Sequence, residues 1–331
     1  MRYGCSIDLG TMNIVSARQN EKGQIELQRI RDAFLDLDRE AKRSLKLSKV
    51  DYAERGDQLI VLGDSAMVMA NLFKREARRP LSRGIIAAGE IEAQEILSLL
   101  THHVLGEPRV PNEHCFYSVP AAPIDDPEQD VTYHQEVFRK ILTEHGYTAH
   151  PVNEAMAIIY SQCAEENFSG LAVSFGSGML NVCLSYQAAK GMEFSLARGG
   201  DFVDQHAAKA VGRTASQMCA IKERGVDLAA PTNREQEALA LYIRSVINYC
   251  LQNIATQFKK VQSHIDLPNP VPFIVSGGTS LAGGFVAIVE QEFDKIKKSF
   301  PIRISEVRAA TDPMSAVAEG LLVLALEEHE V

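Results

Sequence analysis

The chain has no Cys-x-x-Cys pair, and its six cysteines, Cys5, Cys115, Cys163, Cys183, Cys219 and Cys250, lie far apart. That spacing argues against a disulfide scaffold and against structural zinc, whose ligands usually come closely spaced, and it fits buried thiols in a reducing compartment. No uninterrupted apolar run is long enough to span a bilayer. The opening Met-Arg-Tyr-Gly-Cys-Ser-Ile-Asp enters a strand-like pattern at once, leaving no room for the apolar core of a signal peptide, so a cytoplasmic location is expected. Positive charge is scarce, with 34 Lys and Arg against 43 Asp and Glu and a formal net charge of -9. This balance argues against a protein devoted to gripping phosphate backbones, and no nucleic-acid partner is expected. The densest basic groups, Lys74, Arg75, Arg78, Arg79 and Lys295, Lys297, Lys298, are read as solvated faces. Two familiar phosphate-binding fingerprints are missing as well: no glycine turn carries a P-loop lysine, and no G-x-G-x-x-G occurs at the glycine turns described below.

What the chain does have is the make-up of an ordinary globule: 331 residues, 46% hydrophobic and 23% charged, enough for one large or two medium domains. Short apolar runs alternate with longer helical patterns, the signature of an α/β fold. Strands are expected at 4–9, 13–18, 24–29, 59–62, 114–119, 148–152, 171–175, 180–186, 193–197, 273–276 and 302–306. Ile91, Ile96, Leu99, Leu100 and Val104 recur at helical spacing, and His102 and His103 in the last turn of that helix are read as structural or surface residues. Thr214 with Gln217 and Thr232 with Glu235 each read as a capping box, predicting helices over 213–222 and from Asn233 to about His264. Asp312-Pro313 predicts a helix running to about Glu328.

Three glycine elements stand out. Ser6-Ile7-Asp8-Leu9-Gly10-Thr11-Met12-Asn13-Ile14-Val15 and, about half a chain later, Val173-Ser174-Phe175-Gly176-Ser177-Gly178-Met179-Leu180-Asn181-Val182 both read strand, glycine turn, strand. Facing each other, two such turns would present bare backbone N–H groups to a polyphosphate; alternatively they are simply tight hairpins. The third element, Phe273-Ile274-Val275-Ser276-Gly277-Gly278-Thr279-Ser280, places amides at a strand-to-helix junction, with helical periodicity from Leu281 to Phe293.

In this order the three elements resemble the actin-like ATPase superfamily, with closest likeness to bacterial MreB and MamK. Asp8-Leu9-Gly10-Thr11-Met12-Asn13 resembles the first phosphate motif, whose aspartate acts on the nucleotide's metal through water. Asn153-Glu154-Ala155 resembles the start of the connecting helix whose leading Glu or Gln orients the attacking water. Gly199-Gly200-Asp201 is similar to the segment after the second phosphate hairpin. Ile221-Lys222-Glu223 resembles a helix whose Lys and Glu face ribose and adenine, Gly277-Gly278-Thr279 the adenosine motif, and Asp312 to Gly320 the second connecting helix. The likeness covers essentially the whole chain.

It implies an actin-like, ribonuclease H-like duplicated fold of two lobes around a nucleotide cleft. Lobe I would span 1–150 with an insert at about 30–79, and lobe II 151–331 with an insert at about 204–266. The implied ligand is ATP with Mg2+, and the implied binding residues are Asp8, Gly10, Thr11, Met12, Asn13, Gly176, Ser177, Gly178, Gly200, Asp201, Lys222, Glu223, Gly277, Gly278 and Thr279. Asp8 would act on the metal through water, and Glu154 would position the attacking water. From the residue alone, Glu154 reads first as an ordinary first-turn helix carboxylate favoured by the helix dipole, and it is the full motif order that favours the functional role; Lys222 and Glu223 are equally exposed charges at a helix end.

The chain departs from the family at the second phosphate motif, where Ser174 stands at the aspartate, Met179 at the MreB threonine and Asn181 at a hydrolysis-assisting position. Losing one preorganised electrostatic contact costs about 3 kcal/mol, or roughly 10²-fold in rate, so slow or impaired hydrolysis is expected. The expected function is a cytoskeletal protein that binds ATP and self-associates into filaments. The alternative is a non-polymerising nucleotide-binding switch or scaffold that docks an unknown protein partner. Membrane attachment is not expected: the acidic loop Asp125, Asp126, Glu128, Asp130 would be repelled by anionic lipid, and the chain starts directly on its first strand.

Overall fold

The computed structural model describes residues 3–262 and 267–328. Its architecture follows from a repeated arrangement of strands. The chain opens with β1 (Cys5–Leu9), β2 (Asn13–Gln19) and β3 (Ile25–Arg31), an antiparallel meander. The stretch read as a first insert holds β4 (Phe34–Asp38), α1 (Lys42–Leu47), β5 (Tyr52–Arg55), β6 (Gln58–Leu62) and α2 (Gly63–Phe73), with strand order β4-β6-β5 and a small core of its own. A tight two-stranded ribbon, β7 (Leu81–Ser82) and β8 (Ile85–Ile86), follows. Then come α3 (Ala93–Leu105), β9 (His114–Val119), α4 (Val131–Glu144), β10 (Thr148–Asn153) and α5 (Glu154–Gln162).

The second half begins with another meander, β11 (Gly170–Phe175), β12 (Leu180–Tyr186) and β13 (Ala189–Leu196). It continues through α6 (Gly200–Val211), α7 (Ala215–Glu223), α8 (Arg234–Val261), β14 (Val271–Ser276), α9 (Phe285–Ile296), β15 (Ile304–Ala309) and α10 (Ala316–Glu327). The first large sheet has the order β3-β2-β1-β9-β10 and the second β13-β12-β11-β14-β15. In each, the first strand of the meander pairs in parallel with the next strand to enter, which pairs in parallel with the last. We call these halves lobe I and lobe II.

Between the lobes α5 and α10 cross. A side chain at Gly320 would place its Cβ 1.8 Å from the carbonyl oxygen of Ala157, so glycine is what allows the helices to approach so closely. Ala155, Ile158, Ile159, Val317 and Leu321 fill the core around this crossing, and it takes in residues from both sheets, among them Val15, Ala172 and Ile274. The loop after β9 also ties the lobes: Ile124 N donates to Ser195 O at 3.0 Å and Ser195 N to Ala122 O at 3.2 Å, so the loop runs along the free edge of β13. Asp125 accepts from Ala197 N at 2.8 Å and from the Tyr249 hydroxyl at 2.9 Å, which puts the loop's acidic charge to structural use.

Several predicted boundaries shift, each for a local reason. The Thr214–Gln217 capping box forms, but α8 is capped by Asn233, whose Oδ1 accepts from Gln236 N at 2.9 Å, while Thr232 bonds to the Gln236 side chain. The predicted end of that helix at His264 lies outside the described residues. The helix expected from Leu281 starts at Phe285, because Gly278–Leu281 coil into a 3-10 turn and Gly284 follows in the left-handed conformation. Asp312 does cap, but it caps a turn: it accepts from Met314 N and the Ser315 hydroxyl, and α10 begins only at Ala316. Strands β4 and β5, unread in the sequence, are short and belong to the insert's small sheet.

Candidate functional site: the interlobe cleft

Each meander turns through glycine at the lobe interface, and the two turns have the same build. A Cβ at Gly10 would lie 2.7 Å from Asn13 O, and one at Gly176 would lie 2.8 Å from Met179 O, so in both hairpins the chain doubles back over its own backbone. The hairpins touch. A Cβ at Gly178 would meet Thr11 Oγ1 at 2.4 Å and Gly84 N at 2.1 Å, and Gly84 N donates to Thr11 Oγ1 at 3.0 Å. The β7–β8 tip is thus wedged against both turns, a contact that no local sequence pattern announced.

Above the hairpins lies a cavity of about 440 Å3, within the usual range for a small-molecule site. Asp8, Gly10, Thr11, Met12, Asn13, Glu154, Gly176, Ser177, Gly178, Lys222, Glu223, Gly277, Gly278 and Thr279 line it, bringing together residues more than 270 positions apart in the chain. Of the predicted binding residues, Gly200 and Asp201 do not reach the wall and stand one layer behind it. Asp201 accepts from the Ser177 hydroxyl at 2.7 Å, and Gly200 packs under Thr279 and Lys222. Arg29, Arg31, Ser174, Met179 and Asn181 also line the cavity, though none had been read as a binding residue.

Two carboxyls face the cavity from its floor. Asp8 is held by Ser118: the Ser118 hydroxyl donates to Asp8 Oδ1 at 2.8 Å while accepting from Leu9 N at 2.8 Å. Glu154 is the first residue of α5, a helix capped by Asn153, whose Oδ1 accepts from Ala155 N at 2.9 Å and Met156 N at 3.2 Å. Asn181 Nδ2 donates to Glu154 Oε2 at 2.8 Å, and the Ser174 hydroxyl bonds the same carboxyl. Ser174 and Asn181 are direct partners across β11 and β12, so one cross-strand pair grips Glu154. The amide is itself oriented by two donors on its Oδ1, Ala121 N at 3.3 Å and the Ser195 hydroxyl. Desolvation raises both carboxyls, Asp8 to about 6 and Glu154 to about 8, the latter helped by the Asp8 charge nearby. At neutral pH the unliganded Glu154 therefore favours its protonated form.

Elsewhere on the wall, Lys222 donates to Asp204 Oδ2 at 2.7 Å and to Gly200 O at 3.3 Å. Glu223 pairs with Arg31 of lobe I at 2.9 Å. The basic group read as a solvated face is largely engaged: Arg78 pairs with Asp36, Glu90 and Glu92 and lies over the Phe34 ring, and Arg79 reaches Asp201 of lobe II at 3.0 Å. Lys295 pairs with Glu292 at 2.7 Å.

The donor set suits a hard cation carried by phosphate. Among the described residues no cluster of three or more His, Cys, Asp or Glu could hold a metal alone. Asp8, beside the amides of both turns, offers oxygens that would hold the water shell of magnesium when phosphates and water supply its ligands. All six cysteines are free thiols, five buried and Cys219 partly so. Among the described residues no helix is long and apolar enough to cross a membrane.

The family model described as Volactin matches residues 1–325. No curated protein matches the chain. Among solved structures the chain is similar to the MamK double helical filament, with a TM-score of 0.72 and 20% identity over 98% of this chain and 99% of that one. It is also similar to MreB5 of Spiroplasma citri bound to AMPPNP, with a TM-score of 0.66 and 16% identity over 100% and 98% of the two chains. A further likeness is to the ethanolamine utilization protein EutJ from Carboxydothermus hydrogenoformans, with a TM-score of 0.58 and 15% identity over 98% and 90%. At these identities the likeness establishes the fold, which is actin-like.

Proposed function

The chain belongs to the Volactin family, and from that premise we propose that it is an actin-like cytoskeletal protein that binds ATP with Mg2+ in the interlobe cleft and polymerises into filaments, hydrolysing the nucleotide slowly. The observation that carries this reading is the pair of matched glycine turns meeting under one cavity, with Asp8 and Glu154 on its floor. Backbone amides at such turns form concave anion sites, and two of them bridge a polyphosphate between lobes, so that ligand affinity and lobe closure become linked. One similar structure is the MamK double helical filament, and two others, of MreB5, are bound to AMPPNP or ADP, which supports both parts of the proposal.

Within this reading each residue has a stated task. The turns at Gly10-Thr11 and Gly176-Ser177-Gly178 bind phosphate oxygens, and Asp8, fixed by Ser118, orders water on the metal. Magnesium, when bound with the nucleotide, supplies charge neutralisation at the phosphates. Glu154 orients the attacking water, an action that requires its carboxylate form, and Asn181 and Ser174 fix the direction of that carboxylate. Lys222, Glu223 and the Gly277-Gly278-Thr279 turn enclose ribose and base. Ser174 adds no charge, so lobe II contributes less stabilisation to the developing phosphate charge than a carboxylate would, and turnover is slow.

The test is a pelleting assay with ATP, ADP and no nucleotide, with phosphate release followed in the same tubes and pellets viewed by negative-stain microscopy. Filaments that form with ATP support the proposal. A protein that binds ATP yet stays in the supernatant would instead favour a switch or scaffold docking a protein partner.

A further inference from the structure

Two arginines of lobe I cross the cleft to carboxylates of lobe II. Arg31, at the end of β3, donates through Nη2 to Glu223 Oε1 at 2.9 Å, a partner 192 residues away, and its Nε lies 3.3 Å from Asp64 Oδ1 at the start of α2. Arg79, just before β7, places Nη2 3.0 Å from Asp201 Oδ2, a partner 122 residues away. The two bridges stand at different places in the closed molecule. Arg31 and Glu223 are part of the cavity wall, whereas Arg79 and Asp201 lie outside it, behind the second glycine turn, where Asp201 also holds the Ser177 hydroxyl. The acceptors sit on α7 and in the first turn of α6, rigid elements of lobe II, so neither bridge can survive an opening of the lobes. Arg31, Arg79 and Asp201 are only partly exposed, Arg31 and Asp201 each at 20%, whereas Glu223 is exposed.

We infer that Arg31 and Arg79 form a two-point ionic latch that holds the lobes closed and sets how long a nucleotide stays in the cleft. The inference rests on the nucleotide reading above for its second half, while closure by the latch is a property of the protein alone. A nucleotide enclosed between the lobes leaves only when they part, and parting breaks both bridges together, so each bridge lengthens residence. Arg79 touches no part of the cavity and acts purely as a positioning residue, through Asp201 and thence Ser177. Arg31 combines closure with a place on the wall. Because the bridges are charge pairs reached by solvent, added salt screens them and speeds opening.

The experiment follows release of a fluorescent ATP analogue, chased with unlabelled ATP, from the wild type, Arg79→Ala, Arg31→Ala and the double variant. Small-angle scattering is recorded on each without nucleotide. Each single change is expected to speed release about fivefold, the size of one partly exposed ion pair. The double variant should release faster than either and lose most of the salt dependence of the wild type. Arg31→Lys, which keeps the charge, should recover part of the effect. Scattering should give a larger radius of gyration for the double variant than for the wild type. Wild-type release from Arg79→Ala with an unchanged radius in the double variant overturns the latch. If the wild type does not bind the analogue, the nucleotide reading fails, and the scattering comparison still decides whether the arginines hold the lobes together.

Discussion

At the floor of the cleft, Asp8 on β1 faces Val15 on β2, whereas at the matching places of the second hairpin Ser174 on β11 faces Asn181 on β12. The turns between them are alike in backbone: Leu9 pairs with Ile14 as Phe175 pairs with Leu180, and Gly10 and Gly176 crowd the carbonyls of Asn13 and Met179 at nearly the same distance. The two hairpins therefore share the backbone that, in the proposed function, would bind an anion, and differ in side-chain chemistry. Lobe I carries the hairpin carboxylate. Lobe II carries a neutral polar pair, which has been turned toward Glu154 at the start of the helix that leaves lobe I. In the proposed function the difference separates two tasks, holding a phosphate through backbone and handling charge beside it.

The sharpest way to break this comparison is at the charge. Asp8→Ala should weaken magnesium-dependent ATP binding by roughly 10²-fold, the loss of one well-placed electrostatic contact, while Ser174→Ala should leave affinity within a few-fold. Equal effects in a binding titration would mean that the two sites do not differ as described. Next in size, Glu154→Ala should slow phosphate release by about 10- to 100-fold and spare affinity, as expected for a group that acts only on the attacking water. The backbone half of the comparison makes the opposite demand. Gly10→Ala and Gly176→Ala should each lower stability by a similar 1–3 kcal/mol, roughly the cost of forcing a Cβ against fixed backbone, and thermal melts that set them well apart would contradict the shared build. The last test concerns pH. Glu154 titrates higher folded, about 8, than the 4.5 of an unperturbed glutamate. The folded state thus holds the extra proton between those values, and stability without ligand falls as pH rises from about 4.5 to 8. Glu154→Gln removes that term, so its melting temperature should gain on the wild type as pH rises through this window; a constant gap would show that Glu154 is not held protonated by burial.

Much of the cleft was legible because its main elements are local. A strand-like run, a glycine turn and a second run specify a hairpin within a dozen residues and place Gly10 and Gly176, while a β-branched run ending in Gly-Gly ahead of a helical pattern places Gly277. Gly277 illustrates the limit of tolerance: it sits at φ +89° with Phe175 O 2.6 Å from where a Cβ would be, so no other residue fits. What escaped the sequence joins distant segments. Arg79 looks like any member of a basic stretch until folding places it against Asp201, and Arg31 lies just past the strand expected at 24–29, with nothing to single it out until α7 arrives opposite. Asn181 reads as a substitution at a family position, but its orientation depends on Ala121 of a loop from the other lobe. Helix starts failed for a smaller reason: Asp312 and Thr232 can each satisfy a nearby donor or acceptor without opening a helix, and only the fold decides which turn continues.

The link between the first strand and the last helix bears on how the protein is made. The Ser6 hydroxyl donates to Ala318 O at 2.6 Å, and a Cβ at Gly4 would lie 2.7 Å from Ala325 O, so α10 lies directly against β1. While a ribosome is still building lobe II, the sheet of lobe I has no such cover, although all its strands have already emerged. The nascent chain must carry that uncovered face until residues beyond 316 clear the exit tunnel. Final closure is thus a contact of very long sequence separation, of the kind that slows folding and exposes intermediates to aggregation. A chaperone that shields apolar sheet surface during synthesis would act on this protein at lobe I, and late.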